Sequence, residues 1–144
     1  MSQIIVKRKE LERAFNRHIS IYRSVQEGKS SVHLLLLFYS VECGLKALIL
    51  KHIKKNTTED LNNFIDLSKH GHNINKLLKE LLKLHSSPQF HHMSFPALPY
   101  DRSKSATVSQ YNQVWRYGVN VNKEKEDEAE NLLLKLANWI GEEI

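Results

Sequence analysis

The alternation of apolar and polar positions divides the chain into helical segments arranged about one unusually apolar stretch. In residues 31–55, Leu34, Leu35, Leu36, Leu37, Phe38 and Tyr39 run without a polar break. Val41, Leu45, Leu48, Ile49 and Ile53 then recur at three- and four-residue steps, the spacing of one side of an α-helix. The other side carries Ser40, Gly44 and Ala47, small enough to let a second helix come close. A helix that is apolar or small nearly all round belongs at the centre of a bundle. Its polar interruptions and terminal lysines predict a core helix rather than a membrane span, which needs about 20 mostly apolar residues.

The flanking segments read as amphipathic helices around it. Over residues 3–27, Leu11, Ala14, Phe15, His18, Ile19, Tyr22 and Val25 keep the helical period, while Arg8, Lys9, Arg13, Arg17 and Arg23 fall largely off the stripe. Gly28 is expected to end that helix, and Ser30 or Ser31 to cap the central one. Asn56 to Asp60 is a capping sequence, and Leu61, Phe64, Ile65 and Leu67 predict a short helix to about Ser68. Residues 69–72 form a turn. Asn73 caps a helix in which Ile74, Leu77, Leu78, Leu81 and Leu82 make a stripe to about His85. Tyr111, Val114 and Trp115 lie on one side of a segment stopped by Gly118. Asn122 caps the last helix, whose acidic first turns suit the positive end of the helix dipole and whose stripe is Ala129, Leu132, Leu133, Leu136, Ala137 and Ile140.

Residues 86–107 stand apart. Pro88, Pro96 and Pro99 exclude a helix, and Phe90, His91, His92, Phe95 and Tyr100 crowd the stretch. Loops this long in compact domains are commonly functional or disordered. Exposed aromatics beside Arg102 and Lys104 would be suited to stack on bases. Anchoring of the loop to its own core or to a second subunit is the favoured expectation, because large apolar groups are costly to leave in water. The fold class expected is all-α: one domain over residues 1–144, an up-and-down bundle of four to five helices with a long loop before the last ones.

Composition adds limits. A chain of 144 residues suits one domain. The formal charge of +5 permits an anionic partner without requiring one, since 16 acidic residues are mixed among 21 basic ones. A single cysteine, Cys43, excludes a disulfide framework or a cysteine zinc site within a monomer. Ile4–Val6 is too short an apolar run for a signal peptide, so a cytoplasmic location is expected, with no membrane partner. No Gly-rich phosphate loop, Walker motif or Ser-His-Asp arrangement is present. The spacings of His70, His72, His91 and His92 match no strong metal motif, so neither a metal nor a cofactor is expected. Glu42 falls on the apolar side of the central helix. It must be paired, protonated or placed at the lip of a pocket. A structural carboxylate bonded to a Lys, Arg or Tyr of a neighbouring helix is the plainer reading; a catalytic acid or one that faces RNA is the sharper one.

Three stretches together resemble the HEPN domain family, small helical proteins of prokaryotes and their eukaryotic relatives. They are Ser40-Val41-Glu42-Cys43-Gly44-Leu45-Lys46-Ala47-Leu48, then Gly71-His72-Asn73-Ile74, then Tyr111 with Trp115-Arg116-Tyr117-Gly118, in family order across about residues 30–143. Asn73 stands where the family has Asp, and Gly118 where it has Pro. The resemblance implies a helical bundle, often dimeric, working on RNA or nucleotides in toxin–antitoxin, antiphage or nucleotidyltransferase-linked systems. It also implies, for the family's ribonucleases, an Arg followed within about two helical turns by a His. Arg116 is present, but His92 is the last histidine of the chain, so that pair is absent.

The expected function is therefore a noncatalytic binding module for RNA, a nucleotide or a protein partner encoded nearby, acting as a homodimer. One alternative is a metal-independent endoribonuclease in which Arg116 supplies the cation, His70, His72, His91 or His92 the proton transfers, and Glu42 the orientation of a histidine, with His72 the foremost candidate. Another is a structural subunit of a larger assembly. Candidate RNA or partner contacts are Tyr111, Trp115, Tyr117, Arg102, Lys104, His91 and His92.

Overall fold

The computed structural model describes residues 4–144. Its elements follow from the local signals in order. Helix α1 is Arg8–Ser24, α2 Ser31–Ile53, α3 Thr58–Phe64, α4 Leu67–His70, α5 Ile74–Leu84, α6 Tyr111–Tyr117 and α7 Lys123–Glu143. The fold is all-α, as expected. Four long helices carry the bundle and three short ones join them, with one small hairpin, β1 Leu98–Asp101 and β2 Lys104–Ala106.

Helix α2 is the axis. It contacts α1, α3, α5, α6 and α7. Leu37, Phe38, Val41, Leu45, Ile49 and Leu50 have no exposed surface. The small-residue side does what its size allows: a Cβ on Gly44 would come within 2.6 Å of Ile140 on α7 and 2.9 Å of Phe15 on α1. Those two helices therefore approach α2 more closely than any side chain would permit. By length and composition alone α2 also meets the requirements of a membrane span, which corrects the expectation that its interruptions disqualify it. Most of that segment is buried against its neighbours.

Capping residues set the helix boundaries. Asn73 Oδ1 accepts from Lys76 N at 3.1 Å, and Asn122 Oδ1 from Lys125 N at 3.0 Å, as the sequence predicts. The expected helix to Ser68 is instead broken after Phe64. Asn62 Oδ1 takes the N–H of Leu67 at 2.9 Å and Asp66 Oδ1 takes that of Ser68 at 3.0 Å, which starts α4 afresh. Phe64 is consequently exposed while Leu61 and Ile65 are buried.

Helix α1 is shorter than expected at both ends. Residue 3 lies outside the described residues. Residues 4–7 are extended rather than helical, because Arg8 N donates to Asn56 O at 2.7 Å and Thr58 N to Val6 O at 2.9 Å. At the other end the helix stops at Ser24, not Gly28, and the Lys29 ammonium turns back over the Tyr22 ring, 4.8 Å from its centre.

The long loop is anchored through its apolar side chains. Phe90, Phe95, Leu98, Ala106 and Val108 join the core. The hairpin within it was not foreseen, since Pro99 and two very short strands hide the period-two pattern.

At the far end of the bundle the C-termini of α2, α5 and α7 meet. His52 stacks on His85 with ring centres 4.8 Å apart, and His85 lies nearly parallel to Trp139 at 6.1 Å. Burial, helped by His85 and Lys51, lowers the pKa of His52. Burial, helped by Arg17, also lowers that of His18, whose Nδ1 is enclosed without a partner.

Two outcomes are expected. Gly44→Val should destabilise the fold by about 2–3 kcal/mol, as overpacking of a close helix contact does, measured by urea unfolding. Acidification should also weaken it. A histidine whose folded pKa lies below 6.5 takes up protons more readily when unfolded, so stability is lost as pH falls below that value and regained as pH rises. Melting temperatures at about pH 7.5 and about pH 5.5 check this, and His52→Gln should reduce the difference.

Candidate functional site

Tyr39, Glu42 and Lys46 are spaced three and four residues apart, so they line one face of α2. The Glu42 side chain is almost enclosed, the residue being 7% exposed. A carboxylate there has to be matched by donors, and two are supplied. Lys46 Nζ lies 3.1 Å from one oxygen and His72 Nδ1 2.7 Å from the other. Lys46 comes from the next turn of the same helix. His72 comes from the turn between α4 and α5.

That turn is built to present it. Gly71 N donates to Leu67 O at 3.0 Å, and a Cβ on Gly71 would press to 2.6 Å against the same carbonyl oxygen. The absence of a side chain is therefore what lets α4 close. Asn73 N then donates to His70 O at 3.0 Å while its side chain caps α5. His72 is pinned between the two devices. Its side chain is 53% exposed, so one edge of the ring touches the buried acid and the other faces water. An ionised carboxylate can only accept; with Nδ1–H donating to Glu42, Nε2 of a neutral ring is left as an outward-facing acceptor.

Arg116 reaches the same face of α2 from α6. Tyr111, Val114 and Trp115 bury the opposite side of that short helix. The exposed guanidinium donates through Nη2 to the Tyr39 hydroxyl at 2.8 Å. The Tyr39 hydroxyl, and after it that of Tyr117, raises the pKa of Arg116. Among the described residues no carboxylate pairs with Arg116. Neither Glu42 nor the acidic start of α7 pairs with it. The acid at the start of α7 is engaged by a different residue: Trp115 Nε1 donates to Glu126 at 3.1 Å.

The candidate catalytic residues thus separate into two contacts on neighbouring turns, Arg116 on Tyr39 and His72 on Glu42. Of the histidines, His72 is the one in contact with Glu42, at 2.7 Å. The candidate binding residues divide further. Tyr111 and Trp115 have almost no exposed surface, and the Tyr111 hydroxyl donates to the Pro96 carbonyl to hold the loop down. Their part in RNA or partner contact is corrected: both rings are core, packed against Phe38, and offer no face for stacking. Tyr117, Arg102, Lys104, His91 and His92 are exposed. His91 Nε2 lies 3.1 Å from the Ser86 hydroxyl, and neither it nor His92 bonds to Glu42 or Arg116.

Tyr39 and Lys46 are the site residues that the sequence reading did not single out. The available signal was their spacing from Glu42; Tyr39 was absorbed into the apolar run. Cys43, beside Glu42, is not a nucleophile here. Burial first, and the Glu42 charge second, push its thiol up to about 11. No three His, Cys, Asp or Glu side chains converge as a metal set among the described residues. A cleft of about 670 Å³ opens elsewhere, between the linkers that precede α2 and α7, and is lined by none of Tyr39, Glu42, Lys46, His72 and Arg116.

Comparison of the chain with family models, with curated proteins and with solved structures gave no match.

The Glu42 pairing generates a stability test. Glu42→Ala should cost about 3 kcal/mol, because it leaves the Lys46 ammonium mostly buried with no counter-charge. Glu42→Leu combined with Lys46→Met should recover most of that loss in urea unfolding, whereas His72→Ala, which leaves the Glu42–Lys46 pair intact, should cost far less.

Proposed function

We propose that this chain is a HEPN-like helical module that binds RNA along the Tyr39–Lys46 face of α2. The observation that carries the reading is Arg116: an exposed guanidinium held in place by a neutral hydroxyl, with no carboxylate to neutralise it. The Tyr39 and Tyr117 hydroxyls are its neighbours, and a planar guanidinium fits a phosphate in two-pronged fashion. The one acid on this face, Glu42, is compensated by Lys46, so the face is net cationic. The HEPN resemblance supports RNA as the anion, a homodimer as the working state, and a toxin–antitoxin or antiphage setting with a protein partner encoded nearby.

A second reading, a metal-independent ribonuclease, is favoured by one specific contact. The Glu42–His72 pair is a buried carboxylate orienting a half-exposed imidazole, the arrangement that prepares a general base. In that reading His72 Nε2 takes the proton of a ribose 2′-hydroxyl, the oxygen attacks the adjacent phosphorus, and Arg116 carries the charge that builds on the phosphate oxygens. The 5′-oxygen leaves as an alcohol once protonated, and a 2′,3′-cyclic phosphate remains.

Filter binding with labelled RNA across a salt series tests the first reading. Affinity should fall steeply with salt, and Arg116→Ala should lower it about tenfold and reduce the log–log salt slope by about 0.7, the share of one single-strand phosphate contact. Absence of binding at micromolar protein, or binding indifferent to Arg116→Ala, would overturn it. Cyclic phosphate ends that disappear in His72→Ala would establish the second reading; uncut RNA under the same conditions would remove it.

A further inference from the structure

We infer that the groove between the hairpin and α6 is a subsite for one unstacked base of single-stranded RNA. The inference rests on the RNA reading above and adds a second contact surface to it. The groove encloses about 180 Å³ and is walled by Tyr100, Gln110, Gln113, Val114, Tyr117 and Val119. Its two rings are the unusual feature. Tyr100 is 45% exposed and Tyr117 71% exposed, and they share one groove, whereas the exposed Phe64 lies apart on α3.

Both rings are placed by backbone devices. The hairpin register pairs Leu98 with Ala106 and Pro99 with Ser105, then skips to Asp101 with Lys104. Tyr100 is therefore the bulged residue, without a cross-strand partner, and bulges re-aim a side chain in this way. Leu98 and Ala106 anchor the strands in the core, and Asn122 N donates to Pro99 O at 2.8 Å, which ties the hairpin to the cap of α7. On the other wall Tyr117 is the last residue of α6. Gly118, at φ +62°, ends the helix there and turns the chain back through Val119.

The chemistry of the walls selects the occupant. Two phenol faces offer stacking area, which every base can use. Among the described residues Gln113 makes no side-chain hydrogen bond, and Gln110 spends its carbonyl oxygen on the Thr107 N–H at 3.0 Å, so amide donors remain for the polar edge of a base. Aliphatic ligands would leave those amides unmatched. Cations neighbour both rings: the Arg116 guanidinium meets the Tyr117 hydroxyl, and Arg102 and Lys104 lie at the hairpin turn that follows Tyr100. The acid of the hairpin, Asp101, is turned onto the Arg102 N–H at 2.7 Å. A strand whose phosphate sits at Arg116 would thus carry its neighbouring base to the two tyrosines. Duplex RNA keeps its bases stacked inside and cannot use the groove.

The test compares a short labelled oligoadenylate with an RNA duplex, on the full chain. Tyr117→Ser and Tyr100→Ser, both at exposed positions, should each weaken oligoadenylate binding by about tenfold and leave the duplex unchanged. Tyr117→Phe, which keeps the ring, should stay within about twofold of the parent. Circular dichroism confirms that the variants fold. Unchanged oligoadenylate affinity in the double serine variant overturns the subsite while leaving Arg116-dependent binding in place. Failure of the parent protein to bind either RNA overturns the RNA reading itself. Losses that fall equally on duplex and single strand, or a change only in oligomeric state by sedimentation, also overturn the subsite, the latter marking the groove as a contact between copies.

Discussion

Helix α2 has little surface suited to water, and the rest of the chain is arranged to deal with that. Twenty-three residues of helix present apolar or small side chains almost all round, so every direction must be covered. Helices α1 and α7 close on the small-residue side, where Gly44 removes the bulk that would hold them off. Helices α3, α5 and α6 cover the remainder. A bundle of short connections is the natural answer to a central helix of this kind, because each neighbour needs only one apolar stripe.

The same constraint makes the candidate site. Glu42 cannot leave α2 and cannot be left bare inside it. The Lys46 pair is local, available from helix spacing alone. The His72 contact is not: it requires the α4–α5 turn to arrive at the correct height, which Gly71 and the Asn73 cap arrange. The imidazole is thus held by the solution to a burial problem, and the edge left in water is free for chemistry. Arg116 is positioned by the same logic in reverse. Tyr111 and Trp115 sink into the core, and the residue that follows them is turned outward onto Tyr39.

The loop shows how an irregular stretch becomes a surface. Its prolines forbid a helix, yet Phe90, Phe95, Leu98 and Val108 carry enough apolar area to hold it against the bundle. Once those are buried, little freedom remains for the residues between them. Tyr100 is left outside by a one-residue bulge, close to the end of α6 where Tyr117 is left outside by a helix terminus. Two unrelated local features therefore produce one aromatic groove.

Periodicity by itself located the long helices and two of their caps. The stripes of α1, α2, α5 and α7, and the caps at Asn73 and Asn122, are local patterns that need no knowledge of partners. Residues that combine a helical period with a hydroxyl or a charge were not so readable: Tyr39 and Lys46 look like part of a stripe until something packs beside them. Tyr111 and Trp115 read equally well as core or as surface, since an aromatic ring suits either. Only packing decided between them, by giving their polar atoms partners at Pro96 and Glu126 inside the bundle. The break at Asp66, the hairpin and the meeting of His72 with Glu42 were likewise decided in three dimensions. Each depends on a competition or a contact between groups that short-range pattern cannot weigh.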